Sequence, residues 1–318
     1  MNPLDLLLWC AILVVSLGVL VKGSDWFTSA AERIGLALGM PAFMVGVTIV
    51  AVGTSLPEMI SSVLAVIRDA SEIVAGNVVG SNIANLLLVL ALAAIVDGHI
   101  RMKFELVNVD LPFLMGSTCF LALVLWDGSV GRFEGIMCLA GLGIYLWYAL
   151  RGRPPLEATS PGTPRTEGRV RWVRTSLILV GSAGLIYVGA DFTVKSVIEI
   201  ADIIGIGPEL IAASAIALGT SLPEVAVTIT AARRGQSEIA VGNVLGSNIF
   251  NAFAVVGVSA LVGPLTVPQS IVGFALPVLA VATVLAFVMI MEKEITKWEG
   301  WLLILFYIYF IGALFGVM

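Results

Sequence analysis

Two short polar motifs occur twice in this chain, each time within strongly apolar sequence. The first copy comprises Gly53–Glu58 (Gly-Thr-Ser-Leu-Pro-Glu) and Gly76–Asn85, and the second comprises Gly219–Glu224, with the same six residues, and Gly242–Asn251. Equivalent residues are always 166 positions apart, without a gap. An acid inside a membrane segment disfavours insertion and usually marks an ion or substrate pathway. Two such acids in an internal repeat indicate an ion pathway at the interface between repeated halves.

The chemistry expected of the Gly-Thr-Ser-Leu-Pro-Glu motif is cation binding by oxygen atoms. Pro57 has no N–H and its ring clashes with the preceding turn, so we expect the helix to kink or break near Thr54–Leu56. A break would free carbonyl groups from Ala51 onward beside the hydroxyls of Thr54 and Ser55 and the carboxylate of Glu58. Hard cations such as sodium and calcium require such oxygens. The second copy offers the same set from Ala217, Thr220, Ser221 and Glu224.

A purely structural role for the same motif is the alternative. Ser55 and Glu58 have the spacing of a capping box, in which the glutamate only satisfies the start of a half-helix. An uncharged cap would do this without the roughly 2.5–3.5 kcal/mol that a charge near the middle of the bilayer costs on insertion scales. The charge, present in two copies, favours the functional interpretation.

The second motif places three polar residues on one stripe of a helix, at i, i+4 and i+8. They are Asn77, Ser81 and Asn85, repeated as Asn243, Ser247 and Asn251. Asn and Ser often join membrane helices by hydrogen bonds, so this stripe alone fits a structural or a ligand role equally. Opposite a buried glutamate we expect ligands at Ser81, Asn85, Ser247 and Asn251, and structural roles for Asn77 and Asn243. Small-xxx-small spacing predicts close helix approach at Gly76, Gly80, Gly242 and Gly246.

The composition is that of a polytopic membrane protein. Mean hydropathy is +1.04, with 59% apolar and 12% charged residues, against about 25% charged in soluble proteins. Ten apolar stretches of about 20 residues are predicted to span the membrane, five in each half, which leaves no room for a folded soluble domain. They lie at 4–21, 42–67, 73–96, 106–126, 131–150, 173–194, 208–232, 239–262, 270–291 and 298–317.

The basic residues predict the orientation. Fourteen of the 17 lysines and arginines fall in the loops on one side, which is therefore cytoplasmic by the positive-inside rule, and both termini are predicted outside. Residues 151–172 are predicted to be a flexible cytoplasmic linker. Because five helices per half is an odd number, the halves 1–150 and 173–318 are expected to be inverted-topology repeats. Asp25, Asp110 and Asp191 lie near predicted span ends, where we expect them to be interfacial.

These two motifs, in this order and in two copies, resemble the alpha repeats of the calcium/cation antiporter superfamily, in the branch of sodium/calcium exchangers. The resemblance implies that helices 2, 3, 7 and 8 surround several cation sites. It transfers ligand roles to the hydroxyl, carboxyl and amide residues named above, and backbone carbonyl roles to Ala51 and Ala217. Two features differ from many relatives. The linker is too short for the large regulatory domains of animal exchangers, and an aspartate often stands at the position of Asn251.

The expected function is therefore a secondary antiporter that exchanges sodium for calcium by alternating access, in the plasma or inner membrane. Calcium/proton exchange and potassium-dependent sodium/calcium exchange remain alternatives. A cation channel is a further alternative, but an ungated pathway would collapse the gradient. No enzymatic activity is expected, because the only histidine lies in a loop and no His-Glu-x-x-His motif occurs. Expected partners are sodium, calcium and lipid, with no cofactor and no nucleic acid, and the chain is expected to act as a monomer.

Overall fold

The computed structural model describes residues 3–102, 109–151, 172–203 and 221–314, which are mostly helical. The helices are numbered here in chain order. They are α1 Pro3–Ala37, α2 Ala42–Ile67, α3 Glu72–Asp97, α4 Asp110–Leu125, α5 Arg132–Arg151, α6 Trp172–Ile203, α7 Leu222–Arg233, α8 Ser237–Val262, α9 Ile271–Met291 and α10 Lys297–Leu314.

Seven of the described helices, all but α4, α5 and α7, are long and apolar enough to cross a membrane, and α4 is a shorter apolar helix. Many exposed side chains on α1, α6 and α10 are leucine, valine, isoleucine or tryptophan. Such an apolar exterior suits lipid rather than water. Most residues of α3 and α8 are instead buried inside the protein. The chain is therefore a mostly helical membrane protein whose centre contains α3 and α8.

Helix α1 extends well beyond the predicted span 4–21, because it continues to Ala37. The apolar stretch stops at Lys22, but Ser24–Leu36 contains no proline and continues the helical hydrogen bonds. The helix ends at Ala37. Gly39, in the turn that follows, has a φ of 74°, which suits glycine, and Met40 N–H bonds back to Gly35 O. Helix α6 likewise runs past the predicted limit of 194, to Ile203.

Two short β-ladders join the two halves of the chain. Strand β1 (His99–Arg101) pairs antiparallel with β4 (Glu294–Thr296), and β2 (Ser129–Val130) pairs antiparallel with β3 (Leu265–Thr266). The offset of 166 residues relates β1 to β3 and β2 to the last two residues of β4. The two ladders are thus equivalent under the sequence repeat.

Helix α8 packs closely on α2 because of its glycines. A Cβ atom on Gly242 would lie 2.5 Å from Phe43 O, and one on Gly246 would lie 2.4 Å from Val47 O. Both distances are too short for a real contact, so only glycine fits. The predicted close approach is confirmed at these two positions. The equivalent neighbours of Gly76 and Gly80 would be residues 209–213, which lie outside the described residues.

Four of the described helices contain a π-turn, which is frequent at functional sites. The π-turns are Gly46–Val50 in α2, Asn85–Val89 in α3, Asn251–Val255 in α8 and Ile271–Ala275 in α9. Those in α3 and α8 begin at equivalent asparagines of the second motif. The irregular backbone therefore recurs with the same offset as the sequence.

Of the kink or break predicted near Thr54–Leu56, the break does not occur. Residues 51–67 form regular α-helix with Pro57 inside it, and the departure from α-geometry lies one turn earlier, in the π-turn Gly46–Val50. Transmembrane helices tolerate proline where nearby hydroxyl groups and local adjustments satisfy the freed backbone. Pro57 removes only the hydrogen bond to Gly53 O, the carbonyl four residues earlier. In the second copy, α7 begins at Leu222, with Pro223 in its first turn.

Equivalent aspartates within α1 and α6 pair differently in the two halves of the chain. Asp25 of α1 accepts a hydrogen bond from Arg234, which follows α7, at 2.9 Å. The equivalent aspartate, Asp191 of α6, pairs with Lys195 of its own helix at 2.7 Å. Both aspartates are partly exposed, as expected for interfacial residues.

Asp110 differs from the expectation of an interfacial acid. It is fully buried at the start of α4, and the Tyr145 hydroxyl of α5 donates to its carboxylate at 3.3 Å. The Tyr145 ring also lies 4.9 Å from that of Phe113. Because Asp110 lies near the end of a predicted membrane span, its carboxylate was expected to be hydrated. In the structure, side chains of α5 cover it instead.

Candidate cation site

The two motif glutamates lie inside the protein, where α2, α3, α7 and α8 meet. Glu58 is 0% exposed and Glu224 is 1% exposed. The Ser55 hydroxyl of α2 donates to Glu224 Oε1 of α7 at 3.1 Å. Ser55 lies one helical turn before Glu58 on α2, so this bond brings Glu224 to the same part of α2 as Glu58. Two buried acids from opposite halves of the sequence thus face one region.

The Thr54 hydroxyl connects α2 to α8. It donates to Asn243 Oδ1 at 3.1 Å and lies 3.5 Å from the Ser247 hydroxyl. All three side chains are buried. The first motif of one half therefore meets the second motif of the other half, as expected for a site built at the interface of repeats.

Asn77 and Asn243 make equivalent contacts within their own halves. Asn77 Nδ2 donates to the Ser62 hydroxyl at 2.9 Å, and Asn243 Nδ2 donates to the Thr228 hydroxyl at 2.8 Å. Asn77 Nδ2 also lies 3.2 Å from Glu58 O. These bonds tie α3 to α2 and α8 to α7, which is the structural role expected of both asparagines.

Unpaired polar atoms are concentrated in the same region. Buried polar atoms without a hydrogen-bond partner are rare in folded proteins, because each loses its hydration without replacement. Within the part of the chain that the structure describes, four helices contribute such atoms from predicted ligand residues. They are Glu58 Oε1 and Oε2, Asn85 Oδ1 and Nδ2, Ser221 Oγ, Glu224 Oε2 and Asn251 Oδ1.

The other predicted ligands are less informative individually. Ser81 is 3% exposed and lies one turn before Asn85 on α3, and Ala51 is fully buried one turn before Ser55. Ala217 and Thr220 lie outside the described residues. Neither Ser55 nor Ser221 caps a helix through its side chain, since Ser55 lies within α2 and Ser221 precedes α7 without a side-chain capping bond. The capping-box alternative is therefore wrong.

Two further asparagines belong to the region but were not predicted as part of it. Asn251 Nδ2 donates to Asn82 Oδ1 at 3.1 Å, and Asn82 Nδ2 donates to Asn248 O at 3.2 Å. Asn82 and Asn248 are equivalent members of the two Gly-Ser-Asn triplets, and that identity was the available signal. They were missed because they do not belong to the stripe at i, i+4 and i+8 from which the ligands were predicted.

The donor set suits a hard cation. Two carboxylates supply the negative charge, and hydroxyl and amide oxygens supply neutral ligands, as calcium and sodium prefer. The described residues contain no group of three or more histidine, cysteine, aspartate or glutamate side chains that could hold a metal ion. The region thus differs from the cysteine- and histidine-rich sites of zinc or copper.

Comparison with known proteins identifies the family of this chain. The model of the family described as "Sodium/calcium exchanger protein" matches residues 8–151 and 175–316. The chain belongs to the sodium/calcium exchanger family. Sodium/calcium exchanger MaX1 of Methanosarcina acetivorans is 36% identical over 96% of this chain and 98% of its own length. Inner membrane protein YrbG of Escherichia coli is 33% identical over 81% of each chain.

A solved structure of the sodium-calcium exchanger NCX_Mj, soaked with sodium and calcium, has the same fold. It superimposes with a TM-score of 0.82 at 30% identity, over 96% of this chain and 98% of that one. Both segments of the family match contain one copy of the two motifs. The similarity therefore extends over both halves of this exchanger, including the candidate cation site.

Proposed function

We propose that this exchanger moves calcium against sodium across the plasma membrane by alternating access. The observation that carries the proposal is the set of unpaired buried oxygens around Glu58 and Glu224. Transported cations would satisfy these atoms on binding and leave them on release. The names of its relatives, a sodium/calcium exchanger and an inner membrane protein, support the ions and the membrane.

The proposed ligands comprise one set from each half. Hydroxyl, carboxyl and amide oxygens come from Thr54, Ser55, Glu58, Ser81, Asn85, Thr220, Ser221, Glu224, Ser247 and Asn251, and backbone carbonyls come from Ala51 and Ala217. Two carboxylates balance the charge of one calcium ion or of two sodium ions. A third sodium ion would therefore have to rest on neutral oxygens.

Ten membrane crossings in two inverted repeats, 1–150 and 173–318, form the proposed architecture, joined by the linker 151–172. Three features separated by the repeat offset support it: the paired ladders, the π-turns at Asn85 and Asn251, and the contacts of Asn77 and Asn243. The ladders also support the alternation of sides. β1 and β4 lie in predicted cytoplasmic loops, and β2 and β3 lie in predicted external loops, so both termini are external.

The decisive experiment is calcium uptake into proteoliposomes that contain the purified protein. Sodium, potassium, a pH gradient or no cation gradient is supplied from inside, with the membrane potential clamped. We expect rapid uptake only with internal sodium, and little with a pH gradient alone, since Asn85 and Asn251 cannot carry a proton. Equal uptake with a pH gradient would identify a calcium/proton exchanger, a requirement for potassium would identify a potassium-dependent exchanger, and uptake without any internal cation would identify a channel.

A further inference from the structure

Four buried asparagines surround the crossing of α3 and α8, and they are not bonded symmetrically. Asn82, Asn85, Asn248 and Asn251 are each no more than 1% exposed. Asn251 Nδ2 donates to Asn82 Oδ1 at 3.1 Å. Neither atom of the Asn85 amide has a hydrogen-bond partner among the described residues, and the Asn248 amide donates to Val244 O within its own helix at 2.7 Å.

The orientation of the Asn251 amide matters because its two outer atoms are chemically opposite. The oxygen can coordinate a cation, whereas the NH₂ group is a donor that would repel it. An aspartate at this position would need no such control, since both of its outer atoms are oxygens. A neighbour that engages the nitrogen of such an amide therefore fixes which of its two outer atoms faces the cations.

We infer that Asn82 is a positioning residue that holds the Asn251 amide with its oxygen toward the cations. This inference rests on the proposed function. The Asn248 backbone carbonyl can only accept a hydrogen bond, and it accepts one from Asn82 Nδ2 at 3.2 Å. This bond fixes the orientation of the Asn82 amide. That bond leaves Asn82 Oδ1 to face Asn251, where it accepts from Nδ2. Asn251 Oδ1 is then buried without a partner and available to a cation.

The surroundings of Asn251 agree with this role. It lies one helical turn after Ser247, whose hydroxyl is 3.5 Å from that of Thr54. It also begins the π-turn Asn251–Val255, which packs against the segment of α2 that contains Glu58. Asn82, on α3, contacts the nitrogen of the Asn251 amide rather than its oxygen. Its effect on cations therefore passes through Asn251.

The test is a double-mutant cycle between Asn82→Leu and Asn251→Asp, measured as sodium-driven calcium uptake. In the wild-type background, Asn82→Leu removes the hydrogen-bond partner of the Asn251 amide. This should raise the KM for calcium about tenfold, with a much smaller change in maximum rate. In the Asn251→Asp background the same substitution should have little effect on KM, because a carboxylate presents an oxygen in either orientation. Residues in contact of this kind are expected to couple.

Asn248→Leu is the matched control, because it removes an equally buried amide but keeps the backbone carbonyl that orients Asn82. Its effect on KM should not depend on whether residue 251 is Asn or Asp. Asn82→Ala replaces Asn82→Leu if the leucine variant does not fold, and melting temperatures are measured for all variants.

An Asn82 effect that is equal in both backgrounds, or that appears only as a lower melting temperature, would overturn the inference. Absence of sodium-driven uptake in the wild-type protein is a separate result. It would refute the proposed function rather than the role of Asn82.

Discussion

In the first half, Gly53–Glu58 lies within a continuous helix and both oxygens of Glu58 lack a hydrogen-bond partner among the described residues. In the second half, α7 begins just before Glu224, and the Glu224 carboxylate accepts a bond from Ser55. The six residues are identical in the two copies. Identical sequence in unequal surroundings is expected of an alternating-access transporter held in one of its two states.

The equivalent aspartates of α1 and α6 extend this comparison. Asp25 reaches across to Arg234, whereas the equivalent Asp191 pairs within its own helix with Lys195. Arg68 is equivalent to Arg234 and makes no ion pair among the described residues. Among the described residues, the Asp25–Arg234 pair therefore has no equivalent between Asp191 and Arg68. Under the proposed alternating-access mechanism, the second state would have the pairing of the two halves exchanged.

The largest expected effect comes from removing either central charge. Glu58→Gln and Glu224→Gln should each reduce sodium-driven calcium uptake to background, because calcium affinity depends strongly on the number of charged ligands. Glu72→Gln is the matched control, since Glu72 is an exposed acid at the start of α3. Uptake at the wild-type rate in either central variant, with normal folding, would remove that half from the site.

Labelling of the two ladders should give an all-or-none difference. His99 of β1 and Ser129 of β2 are both exposed. Single cysteines at these positions, in a protein without Cys10, Cys119 and Cys138, are treated with a membrane-impermeant reagent on intact cells. The cysteine at 129 should react, and the one at 99 should react only after permeabilisation. The reverse pattern would invert the orientation, and equal labelling would contradict inverted repeats.

Helix packing at the glycines should have a large effect on stability. A Cβ on Gly242 would lie 2.5 Å from a backbone oxygen of α2 that cannot move away alone. Gly242→Ala should therefore destabilise the protein by about 1–3 kcal/mol. Thermal unfolding in detergent measures the loss. Gly181→Ala is the control, because open space surrounds that position among the described residues. A similar melting temperature for both variants would argue against the close α2–α8 contact.

The smallest effect is expected from the Asp25–Arg234 pair. Both side chains are about one third exposed, and such pairs contribute at most about 1 kcal/mol. Asp25→Asn and Arg234→Gln should each change the ratio of apparent calcium affinities on the two sides severalfold. Their effects should not add, because either change breaks the same contact. Lys195→Gln, which breaks a pair within one helix, serves as the control. Additive effects would show that the pair does not act as a unit.

The course of the membrane helices could largely be predicted from the sequence, because apolar stretches of spanning length are a direct physical signal. The helix ends could not, since α1 continues through polar residues that remain compatible with helix. Pro57 was predicted to kink or break the helix, and the break does not occur. The sequence shows which hydrogen bond a proline removes, but tertiary contacts determine where the backbone departs from α-geometry.

The burial of the central acids together with nearby hydroxyls could be predicted, because the sequence repeat separates these residues from chance polar residues. Asn82 was missed, because its role depends on a neighbour from the other half of the chain. The burial of Asp110 was missed for a similar reason, since Tyr145 comes from another helix. Contacts between segments that are distant in the sequence cannot be predicted from the local sequence of either segment.

The bonds between Thr54 and Asn243 and between Ser55 and Glu224 join residues 189 and 169 positions apart. During synthesis, α2 and α3 therefore enter the bilayer long before their polar partners have been translated. Until then only contacts within the first half, such as that of Asn77 with Ser62, can cover these polar side chains. Biogenesis of this exchanger thus includes a stage in which half a binding site must be sheltered from lipid, and a chain truncated before α7 would remain there.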